Sequence, residues 1–255
     1  MAADLAPPVV SARATDDLRI DRDFQRMLAK LPFIAAGMVL AAWIGQQISP
    51  LAPVVLLCAG MILAAVIDGI AFKVPNWLTL SMILAGWGIG LLNTFGVAIG
   101  PGPIDAAFRG DFPASGGIGA SLLGTLVGFG QLFPVFFIGG MGQGDVKMQT
   151  GFGAWVAAMY GSHEGIWTIV YAVCAGYIVG GILGLAMMLL RGQLHRNLGN
   201  VREIVRDLRV LVTMGPGAAH QRAHQRRPTW HRLPYGIPLC IGFVGTLLYL
   251  HWVSG

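Results

Sequence analysis

Gly142-Gln143-Gly144-Asp145-Val146-Lys147 sets an aspartate and a lysine between two long apolar segments. The stretch that follows, 146–161, is short and Gly-rich, and whether it crosses a membrane decides the topology of the chain. The sequence of 255 residues is 55% hydrophobic and 11% charged, where a soluble domain carries about 25% charged residues. The composition therefore reads as an integral membrane protein. Its spans have to be helical, because lipid offers no partner to open backbone groups. Seven apolar segments lie near spanning length, at 31–48, 53–72, 76–98, 117–140, 146–161, 165–190 and 233–252. The fold class is all-α, a polytopic helical membrane protein of about seven transmembrane helices.

Loop charge settles the case for the short segment. With the N-terminus in the cytoplasm, sixteen Lys and Arg fall on the inner side and Arg109 alone falls outside, as the positive-inside rule requires. Omitting 146–161 would send the loop 191–232, with its nine arginines, to the side opposite the N-terminal tail. Residues 1–30 mix five acidic with five basic residues and read as a polar cytoplasmic tail rather than a cleavable signal. Pro134 and Pro238 lie inside spans, where a missing N–H is expected to kink them.

The loop 191–232 has two parts. Leu194, Leu198, Val201, Val205 and Leu208 recur at helical spacing with Arg202, Arg206 and Arg209 between them. This is an amphipathic basic helix suited to anionic lipid. His220 and His224 follow, without a carboxylate or cysteine to complete a metal site. No interleaved aromatics point to nucleic acid, so no nucleic-acid partner is expected. Cys58, Cys174 and Cys240 are isolated in apolar runs and read as filler; neither a metal nor a cofactor is expected.

A carboxylate inside a span is expensive and by default functional. Asp68 is the second acid embedded in an apolar run. It lies about one turn before Lys73, or roughly 6 Å deep, while Asp145 opens the fifth segment on the same face. Helices that pack side by side can bring both carboxyls to one water. One then takes a proton as general base, and the other, kept protonated by its neighbour, polarises a carbonyl. Such a pair titrates as a unit, so neither acid has a fixed role. Gly142 and Gly144 permit turn conformations and close approach before the helix, and the helix dipole favours Asp145 at its start. Plainer alternatives stand beside this reading. Asp145 can simply cap a helix, and Asp68 can form a structural ion pair with Lys73 or Lys147.

The GxGDxK stretch resembles the signature of the type IV prepilin and preflagellin leader peptidases, the bacterial branch of the GxGD intramembrane aspartic proteases. Asp68, followed by Lys73-Val74-Pro75-Asn76-Trp77-Leu78, is similar to that family's first-aspartate motif, with Val74 where Ile is usual. Leu233-Pro234-Tyr235-Gly236-Ile237-Pro238 resembles the Pro-Tyr-Gly run that opens its last helix. The match covers about residues 53–252. It implies a peptidase core of six spans, with 31–48 an added N-terminal helix. It also implies an aspartic endopeptidase of the bacterial inner membrane that removes a short basic leader from prepilin-like proteins. The cut falls after a glycine, at the cytoplasmic face. Asp68 and Asp145 then correspond to the catalytic pair, and the expected partners are prepilins or pseudopilins and pilus or secretion assembly machinery. The cysteine-rich cytoplasmic region of methylating members is missing, which argues against N-methyltransferase activity. The short chain looks more like the enzymes of Tad/Flp-type pilus systems.

The remaining motif residues carry lesser expectations. Gly142, Gly144, Lys147, Lys73, Pro75 and Asn76 support the site, with Pro75 and Asn76 chiefly starting a helix. Gln143 reads as a solvent-facing loop residue. Tyr235 and Gly236 are either interfacial belt or a wall of the substrate site. Lys147 or Lys73 is a candidate to meet an acidic residue just after the cut. His163 and Glu164 fall on the outer side. Two other classes compete. An ion-coupled transporter would use the acids as ion sites, but normally shows repeats and midplane sites. A non-enzymatic assembly component would use them only to pair with lysines.

Overall fold

The computed structural model describes residues 10–101, 116–137, 141–190, 213 and 235–254, with side chains from residue 24. The basic helix expected at 194–209 and the histidines at 220 and 224 lie outside the described residues, as do Arg109, Leu233 and Pro234. Among the described residues seven helices follow one another: α1 Val10–Gln46, α2 Ala52–Ala71, α3 Asn76–Thr94, α4 Ile118–Phe137, α5 Gln143–Tyr160, α6 Ser162–Leu190 and α7 Gly236–Ser254. Among the described residues there is no strand. The protein is a polytopic helical membrane protein.

Among the described residues five helices are long and apolar enough to cross a bilayer: Phe24–Gln46 within α1, then α2, α3, α4 and α6, with α7 a shorter apolar helix. The first helix begins well before the apolar run at 31. Residues 10–30 contain neither Gly nor Pro, so no strong helix breaker stops the helix from running outward past the hydrophobic stretch.

Helix α5 is the short segment of the sequence analysis, and it does not qualify as a span on apolarity. Its place in the fold explains why. Fifteen of its 18 residues are buried, because α2, α3, α4, α6 and α7 all pack on it. A helix sheathed by protein needs small residues that admit its neighbours, not lipid-facing leucines.

Close packing fixes the direction of each pair. A methyl at Gly128 of α4 would stand 2.7 Å from the Gln149 carbonyl oxygen, and Gly124 meets Gly153 backbone to backbone. One number rises as the other falls, so α4 and α5 are antiparallel. On the other flank a methyl at Gly86 of α3 would stand 2.7 Å from Ala154 Cβ, and one at Gly151 would stand 3.2 Å from Met82 Cβ. The Trp155 indole N–H donates to the Met82 carbonyl at 2.7 Å. Here the numbers rise together, so α3 and α5 are parallel. Gly176 meets Leu239 and Gly180 meets Tyr235 and Pro238, which makes α6 and α7 antiparallel. Phe152 and Phe243 stack at 4.4 Å and join α7 to the centre.

These directions gather the ends of α2, α4 and α6 and the starts of α3, α5 and α7 at one end of the bundle. Asn93 locks the far end, donating to the carbonyls of Ile99, Gly116 and Ala158. Tyr160 and His251 also pair there at 3.0 Å. Pro238 does not interrupt a span, contrary to expectation. It falls in the first turn of α7, where no intrahelical N–H bond is due. Pro134 lies in the last turn of α4.

Candidate active site

Asp68 and Asp145 are 77 positions apart in sequence and arrive at the same end of the bundle. Asp68 sits in the last turn of α2 and is 8% exposed; Asp145 is the third residue of α5 and is 5% exposed. Their carboxyls lie within electrostatic reach of each other. Each is held through one oxygen by a backbone amide. The Gly142 N–H donates to Asp145 Oδ2 at 3.0 Å, and the Gly236 N–H donates to Asp68 Oδ2 at 3.2 Å. Asp145 Oδ1 is buried and makes no hydrogen bond among the described residues. A polar atom left so costs about 1–3 kcal/mol, and acidic catalytic groups are a common reason to retain one.

Asp145 reaches back to the amide of the residue that precedes α5, which satisfies a donor the helix start would leave open. Of the two roles expected of the glycines, turn conformation and close approach, the second is the one they serve. Gly142 has φ −82° and ψ 160°, an extended conformation open to any residue, and Gly144 is already helical. What Gly144 supplies is space: a methyl there would stand 2.7 Å from Val74 Cγ2. Buried Val74 therefore presses on the residue next to Asp145, and α5 starts directly against the α2–α3 link. Gln143 is exposed as expected but opens the helix rather than belonging to a loop.

The α2–α3 link is shaped by two residues. Phe72 takes the left-handed conformation at φ 51°, and its N–H donates to the Asp68 carbonyl at 2.8 Å. A non-glycine residue there costs about 1–2 kcal/mol. It turns the chain sharply one residue after α2 ends. Pro75, at φ −69°, caps α3, and its carbonyl receives the Leu78 and Thr79 amides. Asn76, expected mainly to start the helix, also accepts a hydrogen bond from Lys147 Nζ at 2.8 Å. Lys147 thus ties α5 to α3, and it pairs with neither carboxylate. Lys73 is exposed, and among the described residues it makes no ion pair with Asp68.

Helix α7 closes the group. A methyl at Gly236 would stand 2.8 Å from Asp68 Oδ2, so only glycine lets the helix start touch the carboxyl. Gly69 receives Ile237 beside it, 3.2 Å from where its Cβ would be. Tyr235 lies against Gly180 of α6 and within electrostatic reach of Asp145. It belongs to the group around the acids. His163 and Glu164 pair at 3.1 Å at the start of α6, at the opposite end. Sequence reasoning named Gly236 without its role as donor, and did not foresee Val74 or Phe72 as shaping residues. The motif order was the available signal for Gly236. Nothing local marks Phe72.

Two buried carboxyls gathered at one end of the bundle, each fixed by a backbone amide, form a candidate pair for acid–base chemistry. A model of the type IV leader peptidase family matches residues 55–185. The chain belongs to the type IV leader peptidase family. That assignment makes it a peptidase, and the matched region holds Asp68, Asp145 and every residue of α3 to α5. No curated protein and no solved structure matches the chain. In this leader peptidase, α1 and α7 lie outside the matched stretch, although α7 supplies the Gly236 amide that reaches Asp68.

Proposed function

We propose that the chain is a membrane aspartic endopeptidase that removes the short basic leader of prepilin-like or pseudopilin substrates, cutting after a glycine at the cytoplasmic face of the bacterial inner membrane. One observation carries the aspartic reading: the two acids share one end of the bundle, both buried and both anchored by a backbone amide. In the reaction one ionised carboxyl takes a proton from water while the water oxygen attacks the scissile carbonyl carbon. The protonated carboxyl donates to the carbonyl oxygen. Collapse of the tetrahedral intermediate breaks the C–N bond, and a dyad proton passes to the leaving amine.

The amides of Gly142 and Gly236 hold the carboxyls in register, which is the positioning such chemistry requires. Lys147 engages Asn76 rather than an aspartate, which counts against acids that merely pair with lysines. Their location at helix ends counts against a midplane ion site. The substrate's apolar helix packs beside the bundle and supplies most of the affinity. A basic leader facing a basic enzyme surface gains little from long-range attraction. Assembly of the product by Tad/Flp-type pilus or secretion machinery follows from the same reading.

Coexpression in membranes with a prepilin bearing a glycine at its cleavage site tests this. The parent chain converts the precursor to the shorter mature form on a gel, while Asp68→Asn and Asp145→Asn each leave it full-length. Cleavage retained by either variant would remove the dyad, and an uncut precursor with the parent chain would remove the substrate class.

A further inference from the structure

Two buried side-chain oxygens of α5, Asp145 Oδ1 and Gln149 Oε1, have no hydrogen-bond partner among the described residues. Their residues are four apart, so the side chains lie one turn from each other on one face of the helix. Gln149 is fully buried. Its Nε2 donates to Gln131 Oε1 of α4 at 3.2 Å. The two helices are close at that level, since a methyl at Gly128 would stand 2.7 Å from the Gln149 carbonyl oxygen. The bond to Gln131 engages the amide nitrogen, holds the amide plane and leaves the amide oxygen over. A pair serving only to join α4 to α5 would bond through both ends of each amide. Asp145 is engaged in the same one-sided way, through Oδ2 to the Gly142 N–H.

Both leftover atoms are acceptors. A single group serving them together has to carry two hydrogens. A substrate peptide N–H carries one. A water carries two, needs two or more polar partners inside a protein, and is the reactant a peptidase consumes. We propose that Gln149 is a further catalytic residue, which together with Asp145 holds the water that attacks the scissile bond; this rests on the aspartic reading above. The water donates one hydrogen to Asp145 Oδ1 and the other to Gln149 Oε1, so its lone pairs stay free for the carbonyl carbon. As the O–C bond forms, the hydrogen facing Asp145 passes to Oδ1. The carbonyl π electrons move to the carbonyl oxygen, which takes a proton from Asp68. The second hydrogen stays on the new hydroxyl, still held by Gln149. Asp145 is thereby the base and Asp68 the acid of the first step. Two points of attachment fix the water where one would let it swing.

The test measures kcat, KM and the thermal midpoint of the full-length chain in detergent, on a prepilin substrate that the parent cleaves. Gln149→Leu removes the acceptor, and kcat falls about 10²-fold while KM stays within about twofold. Gln131→Leu alone keeps the Gln149 oxygen and lowers kcat by at most about tenfold. Gln149→Leu strands the Gln131 oxygen and can cost folding. Gln131→Leu with Gln149→Leu covers that case, because apolar groups of similar shape replace both partners and leave stability nearly unchanged. The double variant keeps the parent's midpoint and shows the kcat loss of Gln149→Leu. Asp68→Asn and Asp145→Asn run beside these. An unchanged kcat in the folded double variant, equal losses in Gln131→Leu and Gln149→Leu, or a loss carried by KM would each overturn the role of Gln149. With both aspartate variants inactive, such a result leaves the dyad standing. Cleavage by either aspartate variant would overturn the aspartic reading and this inference with it.

Discussion

The backbone N–H of Gly236 donates to the Asp68 carboxylate at 3.2 Å, across 168 positions of sequence. The first carboxyl of the pair is therefore held by the last helix, and α7 is part of the site rather than an accessory span.

Gly236→Ala tests that relationship. The added methyl would stand 2.8 Å from Asp68 Oδ2, so the helix start has to back away and the amide leaves the carboxyl. Leader removal falls by about 10²-fold, as misplacement by an ångström does elsewhere. Gly245→Ala is the matched control, since nothing lies within 4 Å of its Cβ position. Time courses of precursor cleavage at equal membrane levels distinguish the two. Equal loss in both variants would show a general effect on α7 instead.

Asp68→Asn and Asp145→Asn each keep the size of the side chain while removing the ionisable group. Each lowers cleavage by at least about 10³-fold, because residues that act as a unit fail together. The double variant is no worse than either single one. A further multiplicative loss in the double variant would show that the acids act independently.

Lys147 and Asn76 form a tie whose strength a double-mutant cycle can read. Lys147→Met and Asn76→Ala each reduce activity, and the pair shows a coupling energy of about 0.5–3 kcal/mol. If Lys147 instead meets an acidic residue of the substrate, its effect persists undiminished in the Asn76→Ala background. Initial rates with a substrate in which that acid is replaced by glutamine report the same distinction.

Packing around α5 predicts where the fold is fragile. Gly86→Ala thrusts a methyl to 2.7 Å from Ala154 Cβ and 2.8 Å from its carbonyl carbon. Such overpacking costs about 1–3 kcal/mol. Gly181→Ala and Gly130→Ala, with open space at both positions, change little. Thermal unfolding in detergent ranks them, and an unshifted midpoint for Gly86→Ala would contradict the close approach of α3 to α5.

The apolar segments, their order and the shared end of the two acids were legible from sequence because each rests on composition or loop charge. Helix α5 shows the limit of that signal. Hydropathy alone leaves it weak, since its neighbours, not lipid, set its composition, and loop-charge parity was what kept it. Of the two roles expected of the glycines beside Asp145, close approach holds at Gly144 and a glycine-only turn does not. That Gly144 needs room was expected, whereas the identity of its neighbour, Val74, is a tertiary fact. The Gly236 contact lay beyond any local pattern, because nothing in the sequence around Asp68 announces a donor 168 residues away. The left-handed Phe72 was hidden for another reason: sequence preference points to glycine there.

The dependence of Asp68 on α7 has a consequence for how the enzyme comes into being. Both acids are synthesised and inserted long before residue 236 leaves the ribosome. Until α7 docks, Asp68 lacks its amide and the site lacks Tyr235. The nascent chain thus carries its full set of acids without being armed. In the aspartic reading proposed above, the order of synthesis delays proteolytic competence until α7 docks.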